Sequence, residues 1–584
     1  MGFSTFCRKH RTLQQGALLQ GLLLALLLLS AGCGAGTPEP GTPGPLLAAT
    51  TAPPPTAAGP DPGPHAVLHT PRLSPTREAG PSPAARTPQA GSGPAGEGRS
   101  PSPARPEGGS ATPGAAPGSA GPEFYLSPEG SDSRGDGSRQ KPWQSFTHAL
   151  RRIPDGAALL ALPGLYEEEL ILERRFDRGV TLRSLVPYAA RLRFPGRVIT
   201  CDTCAGFTIE GFDIAHLPQA DKRYLIQIQD EAGDGQGGRR IILRNNIIHD
   251  SYHNDLLKVN NGAGQITIEG NLFYNMGGPA IDNHIDVNSA SEIDIQDNIF
   301  FNCYECSGRD ANRRAGHFIV IKDSNGERDG LAGSRLIRVR RNIFLNWQGI
   351  PGGSFIGLGD GQDFDYYQAQ DILIENNLML GNSGQKIHAA LKIDGGKNVL
   401  LRNNTISGDL PSRSFALRLD KSGSGLPNVN IQVFNNIWSD PTGTMGVEAS
   451  EQKLRFSDTP AGVIASFTLA GNLYWNGGEP VPFEDEHPIN YTQDGAPILA
   501  DPRLPADLSQ LILPYLDEET AALADGSASI REAFRRLALG YGTPGEGSPA
   551  LDAADPGQAP AEDLLGRPRP YGAGPDIGAL EAAP

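Results

Sequence analysis

Positive charge is in short supply in this chain. Fifty Lys and Arg stand against 66 Asp and Glu, a formal net charge of −16. That balance argues against a nucleic-acid partner, whose phosphates call for clustered cations. A polyanionic ligand would need a local basic patch or a bridging metal. Large apolar residues are almost missing from 34–122, a stretch of Pro, Ala, Gly, Ser and Thr. Such a segment cannot bury a core and is expected to be a disordered, extended tether. The apolar run at 17–31 falls short of the about 20 residues a spanning helix needs. It follows Arg8, Lys9, His10 and Arg11 and ends in small residues, so 1–33 reads as a secretory signal.

Cysteine is scarce too, with six in 584 residues. Cys7 lies in the signal. Cys33 closes Leu29-Ser30-Ala31-Gly32-Cys33, which resembles the lipobox of bacterial lipoproteins, with Ser30 where that pattern prefers Leu. The resemblance implies lipidation at Cys33, a secreted protein held at a bacterial cell surface, and membrane contact through the lipid alone. Ordinary cleavage and secretion is the alternative. The other four form two Cys-x-x-Cys pairs, Cys201/Cys204 and Cys303/Cys306. Two local disulfides are expected in an oxidising compartment. Free thiols and a shared zinc site are the alternatives. No βαβ context supports a thioredoxin-like role.

What the chain has in abundance is one repeated pattern. Eight times an apolar, strand-like run leads into an asparagine and then into more apolar residues. The asparagines are Asn246, Asn271, Asn298, Asn342, Asn377, Asn404, Asn436 and Asn472, spaced 25, 27, 44, 35, 27, 32 and 36 residues apart. A period near 25 with irregular insertions marks a solenoid, whose repeats bury their apolar faces against one another. The segments alternate with period 2 and are β-branched and aromatic, so the repeats are strands. An Asn at one turn position of every coil can hydrogen-bond from coil to coil.

Ahead of the repeats, Trp143, Phe146, Ala149, Leu150 and Ile153 recur at helical spacing. They predict a short amphipathic helix that plugs the open end of the core. Behind them, Ser529 to Leu539 reads as a helix stopped by Gly540. The segments YLSPEGSDS, KPWQSFTHAL and PDGAALLALPGLYEEEL resemble the N-terminal cap and first coil of the pectate-lyase superfamily. GSPALDAAD, DLLGRPRP and GPDIGALE are similar to the C-terminal coil of bacterial surface β-helix proteins. The resemblance implies an all-β, right-handed parallel β-helix. The expected layout is 1–33 signal, 34–122 tether, 123–180 cap and first coil, 181–500 coils, and 501–584 C-terminal coil and capping segment. A monomer is expected.

Outward positions of successive coils stack into rows. Aligning the strands upstream of the asparagines puts Gln227, Lys258, Asp286, Val320, Gly357, Lys392 and Arg418 in one row. Gln229, Asn260, Asn288, Lys322, Gly359, Asp394 and Asp420 fall in the next. The densest polar patch spans two coils and offers Asp250, His253, Asp255 and Lys258, then Asp282, His284 and Asp286. Lys258 resembles the base lysine of the alginate lyase and chondroitinase B family. Asp255 stands near that family's Glu, and NHIDVN replaces its Leu-Arg-His-Gly segment. The resemblance implies uronate β-elimination on an extracellular polysaccharide. Lys258, Asp286 and His284 are the catalytic candidates. Asn260, Asn288, Lys322, Lys392 and Arg418 would bind glycan, and Asp255, Asp282 and Asp286 would hold Ca²⁺. A non-catalytic glycan-binding or adhesion module is the alternative. Lys258 beside Asp286 is also an ordinary cross-strand pair, worth under about 1 kcal/mol when exposed. Asp323 to Gly330, with Asp360, Asp363 and Asp365, alternates oxygens like a calcium loop, with an ordinary polar turn as the alternative. Phe300, Phe301, Tyr304, Phe344, Trp347 and Trp438 read mostly as core, with a sugar-stacking surface from Trp347, Tyr366 and Tyr367 as the alternative.

Overall fold

The computed structural model describes residues 121–582, apart from 219–222, 278–281, 311–315, 350–351, 362–363, 386, 409–416, 422, 424 and 447–454. The chain divides into two units, Met1–Gly108 and Gly109–Pro584, and the described residues belong to the second. The signal, Cys33, the tether through residue 120, and Asp363 lie outside them.

Each coil is three strands. A representative one runs Leu257–Asn260, Gly264–Glu269 and Leu272–Tyr274, and the next runs Ile285–Asn288, Ser291–Gln296 and Ile299–Phe301. Like strands of successive coils pair in parallel, Leu257 against Ile285, Gly264 against Ser291 and Leu272 against Ile299. Repetition builds three parallel sheets: a first of 12 strands containing Gly264–Glu269, a second of 10 containing Leu257–Asn260, and a third of 12 containing Leu272–Tyr274. The fold is a right-handed parallel β-helix. The two-residue alternation places the core: Gly264, Ile266 and Ile268 are buried while Gln265, Thr267 and Glu269 face out.

The asparagine repeat is the corner between the first and third sheets. The residue before each ladder Asn is left-handed: Asn245, Gly270, Asp297, Arg341, Asn376, Asn403, Asn435 and Gly471 have φ between 50° and 71°. Gly, Asn and Asp tolerate that region best, and they fill seven of the eight corners. Every ladder Asn is fully buried. Its main-chain N–H and its Nδ2 both donate to the Oδ1 of the next, at 2.9 and 3.1 Å from Asn246 to Asn271, and the pattern persists to Asn472. There Asp494 takes over as acceptor, at 2.7 Å from Asn472 Nδ2. Beside the ladder, Phe273, Phe300 and Phe344 stack with centroids 5.0 Å apart. Trp347 is core as well, 1% exposed and 5.2 Å from Phe318. It therefore offers no sugar-stacking face.

The first helix, α1 (Phe146–Leu150), is capped by Ser145, whose Oγ accepts the His148 N–H. Phe146 enters the core against Tyr166 and Phe212, with centroids at 5.3 and 6.0 Å. The second, α2 (Ile530–Tyr541), runs past Gly540 and ends at Gly542, whose N–H donates to Ala538 O at 2.9 Å. Its buried face, Ile530, Ala533, Phe534, Leu537 and Ala538, packs on outward apolar residues of the third sheet such as Leu378. That packing carries the helix through Gly540, although glycine is a poor helix former.

Cys201 is bonded to Cys204 and Cys303 to Cys306, each with Cα atoms 5.2 Å apart. Alkylation of the native protein is therefore expected to leave all four unmodified until a reductant is added. A mass gain of four alkyl groups on untreated protein would contradict the pairing.

Candidate functional site

The outward face of the second sheet carries both rows in the expected register. Gln227 pairs with Lys258, Lys258 with Asp286, Asp286 with Val320, Val320 with Gly357, Gly357 with Lys392, and Lys392 with Arg418. In the second row Gln229, Asn260, Asn288 and Lys322 follow one another. Their amides interlock: Asn260 Nδ2 donates to Gln229 Oε1 at 3.1 Å, and Asn288 Nδ2 to Asn325 Oδ1 at 3.4 Å.

The chemistry concentrates around Asp286. Lys258 Nζ lies 2.7 Å from Asp286 Oδ2, and both side chains are under 10% exposed. A surface cross-strand pair would be worth little. Here the pair is desolvated, and truncating either partner would strand a buried charge at about 3–5 kcal/mol. Lys322 reaches the same oxygen at 3.7 Å and Asp360 at 3.7 Å. Asp286 Oδ1 is buried and accepts no hydrogen bond among the described residues.

Asp255 is buried at the strand entrance. Its Oδ1 accepts the Asn283 N–H and Nδ2 at 2.7 and 3.0 Å. Burial, then the charges of Asp286 and Asp282, push its carboxyl up to about 8, against the pull of Lys258. Tyr224 faces the same cluster with its ring 5.8 Å from Lys258 Nζ. Burial and the neighbouring Asp255 and Asp286 raise its phenol to about 12. On the other side of Asp286, His317 Nδ1 hydrogen-bonds Ser354 Oγ at 2.7 Å. Burial, with Lys392 and Lys322 nearby, lowers that imidazole to about 3. Gly357 makes room for it, since a Cβ there would sit 2.9 Å from the ring. Tyr224 and His317 did not stand out in the sequence, because each lies ahead of its strand's regular alternation.

His284 is the correction at this site. It does not share the face of Lys258. The ring lies in the core, flat on Phe318 (4.5 Å, 2° between planes), with Nε2 3.0 Å from Asn302 Oδ1. Burial lowers it to about 3. The strand begins at Ile285, so His284 belongs to the corner, where counting by twos fails; Phe318 and Phe355, at the equivalent positions of the next two strands, also turn inward.

Lys392 and Arg418 lie two and three strands beyond Val320, remote from Lys258. Lys392 is 3.8 Å from Asp394, and Arg418 contacts Asp420 at 2.8 Å, His388 and Asp458. Each cation of the face thus has an acidic neighbour, and the strip carries no positive excess. The carboxylates expected to hold Ca²⁺ have other partners: Lys258 occupies Asp286, and Asn283 occupies Asp255 Oδ1. No group of three or more His, Cys, Asp or Glu converges on a metal position among the described residues. At the calcium-like loop, Asp323 accepts the N–H groups of Asn325, Gly326 and Gly333 and closes a turn.

No protein-family profile matches the sequence, and no curated protein matches it. Among solved structures, the chain is similar to pectate lyase Pel9A, at 13% identity over 79% of this chain and 96% of that one, with a TM-score of 0.43. XylC in complex with xylose gives 13% identity over 79% and 99%, TM-score 0.42. The GH136 lacto-N-biosidase from Eubacterium ramulus gives 12% over 65% and 67%, TM-score 0.40. Likeness at this identity concerns the fold alone.

Proposed function

We propose that the protein cleaves a polysaccharide laid along the second sheet, with Asp255 as the proton donor to the leaving glycosidic oxygen. One observation carries this reading: Asp255 is buried close enough to Asp286 that burial and that charge push its carboxyl up, while Asp286 is ion-paired with Lys258. A carboxyl group whose proton is favoured, next to an ion-paired carboxylate, is an arrangement suited to acid–base cleavage of a glycosidic bond. Lys258 is then a positioning residue that fixes Asp286. The amides and paired charges along the rows suit a linear, hydroxyl-rich polymer, since they recur along the sheet, interrupted at Val320 and Gly357, without a surplus of cations.

Uronate β-elimination with Lys258 as base is the second reading. The burial of that lysine among Asp255, Asp286 and Tyr224 favours it. The 2.7 Å contact with Asp286 weighs against it, because it engages the nitrogen in an ion pair. Products separate the two. Hydrolysis yields new reducing ends alone, whereas elimination adds the ultraviolet absorbance of an unsaturated uronate. Reducing ends accompanied by that absorbance would sink the first reading.

Secretion and surface display through Cys33 belong to the same proposal. Cys33→Ser is expected to move the protein from the membrane fraction to the soluble secreted one. An unchanged distribution would remove the anchor from the account.

A further inference from the structure

Between Asp286 and Lys392 the first outward row thins to Val320 and Gly357. The gap is filled from the side. His317 opens the strand His317–Lys322, which pairs with the strand of Asp286, and its ring lies against Gly357 of the strand beyond. A Cβ at 357 would stand 2.9 Å from both Nδ1 and Cε1, so any other residue there would force the ring aside. Gly357 is two strands from Asp286. Strands stand about 4.8 Å apart, close to the length of one sugar ring, so His317 lies about two sugar units along the face.

The two ring nitrogens differ. Nδ1 lies 2.7 Å from Ser354 Oγ, which gives its own hydrogen to Ile356 O at 3.0 Å. Ser354 Oγ therefore accepts from the ring, and the network puts the hydrogen on Nδ1. Burial, then the charges of Lys392, Lys322 and His388, lower the imidazole to about 3 and keep it neutral, although the Ser354 carbonyl favours an added hydrogen. Nε2 is left with a bare lone pair. It makes no hydrogen bond among the described residues, and it is open to solvent, unlike the sealed Nδ1 of His284. The residue as a whole is partly exposed.

The groove cations show what would meet that lone pair. Lys322 Nζ stands 3.7 Å from both Asp286 and Asp360, and Lys392 Nζ 3.8 Å from Asp394. These ion pairs exceed hydrogen-bond length, so both ammonium groups keep hydrogens to give. A sugar hydroxyl suits such surroundings, because it donates to a lone pair and accepts from an ammonium at once. A carboxylate has no hydrogen for Nε2, and a cationic sugar would be repelled by the lysines. We propose that His317 is a specificity-determining residue of the groove, its Nε2 accepting from a hydroxyl of a neutral sugar unit seated over Gly357. This rests on the reading of the second sheet as a glycan groove and adds the class of unit selected away from the cleavage point. His317 transfers no proton; it positions the polymer.

The test is affinity electrophoresis of the full-length protein in gels holding a β-glucan, xylan, mannan, alginate or pectate. At least one of the three neutral polymers is expected to retard it. His317→Phe keeps a ring over Gly357 but lacks the acceptor, and should raise Kd for that polymer about tenfold, the ratio set by losing one hydrogen bond. His317→Gln, whose Oε1 can accept near the place of Nε2, should recover most of the affinity. Asn398→Ala, exposed on the first sheet, should leave it unchanged. Nitrogen NMR of the histidine rings reads the tautomer without a ligand and serves if His317→Phe fails to fold. The hydrogen is expected on Nδ1 in the wild type, with Ser354→Ala moving it in part to Nε2. Equal retention of wild type and His317→Phe would overturn the proposal and leave cleavage standing wherever reducing ends are released. A loss that His317→Gln does not recover, retention by the uronate polymers alone, or a wild-type hydrogen on Nε2 would overturn it too. No retention by any polymer would remove the groove reading along with it.

Discussion

Asp255→Asn is expected to lower kcat/KM on the polysaccharide by about 10²- to 10⁴-fold, the usual contribution of a general acid, without unfolding the protein. The amide keeps the shape of the side chain and the oxygen that accepts from Asn283. It also matches the charge of the protonated acid that burial and Asp286 favour. In the wild-type protein the acid form is lost as pH rises through about 8, so on this reading activity should fall on that alkaline limb. The stability consequence has a definite sign. The folded pKa lies above the unfolded value of 3.8, so the native state holds a proton that the unfolded chain releases. Stability from this group therefore falls as pH rises from about 4 to about 8. Asp255→Asn should remove that slope and melt no lower than wild type at the alkaline end. An active variant, or an unchanged alkaline limb, would take the acid role from Asp255.

Asn342→Ala is expected to cost about 3–5 kcal/mol, since it leaves several buried polar groups without partners at about 1–3 kcal/mol each. Asn342 Oδ1 accepts Asn298 N and Nδ2 at 3.1 and 3.0 Å, while its Nδ2 donates to Ile295 O at 2.9 Å. All these groups lie beside a corner closed to water. Coil-to-coil terms in a solenoid are nearest-neighbour terms. Hydrogen exchange should therefore accelerate first at the strands on either side of 298 and 342. Asn398→Ala is the matched control, because Asn398 is on the surface and its contact with Asp371 at 2.8 Å is exposed. Denaturant unfolding that shows less than about 1 kcal/mol between Asn342→Ala and wild type would show that the ladder is not what holds the coils in register.

The ladder and the two outward rows were legible because both rest on strict equivalence between coils. An Asn at one corner and a side chain at every second strand position repeat wherever the chain repeats. Legibility ended at the corners. His284 follows the alternation on paper, yet it turns into the core where a strand meets a bend, whereas Trp347 is core as its apolar context suggested. Asp255 and Tyr224 sit at the same kind of bend, Asp255 buried within reach of the Lys258 charge and Tyr224 with its ring 5.8 Å from Lys258 Nζ. The joint burial that pushes the Asp255 carboxyl up is a property of three coils at once, and no local spacing records it. A buried chain of ion pairs, Arg193–Asp213–His249–Asp250–Arg309, draws on residues up to 116 positions apart, from 193 to 309. Only Asp250 among them stood out in the sequence.

The central claim is that a protonated Asp255 cleaves glycosidic bonds in the groove of the second sheet. The most direct measurement is release of reducing ends from a panel of neutral and uronate polysaccharides, by the full-length protein and by Asp255→Asn side by side. The account predicts steady release by the wild type from at least one polymer, and release near background by the variant. Equal release by both proteins, or retention of the polymers in affinity electrophoresis with no release by either, would contradict it. The second outcome would leave a glycan-binding module in place of an enzyme.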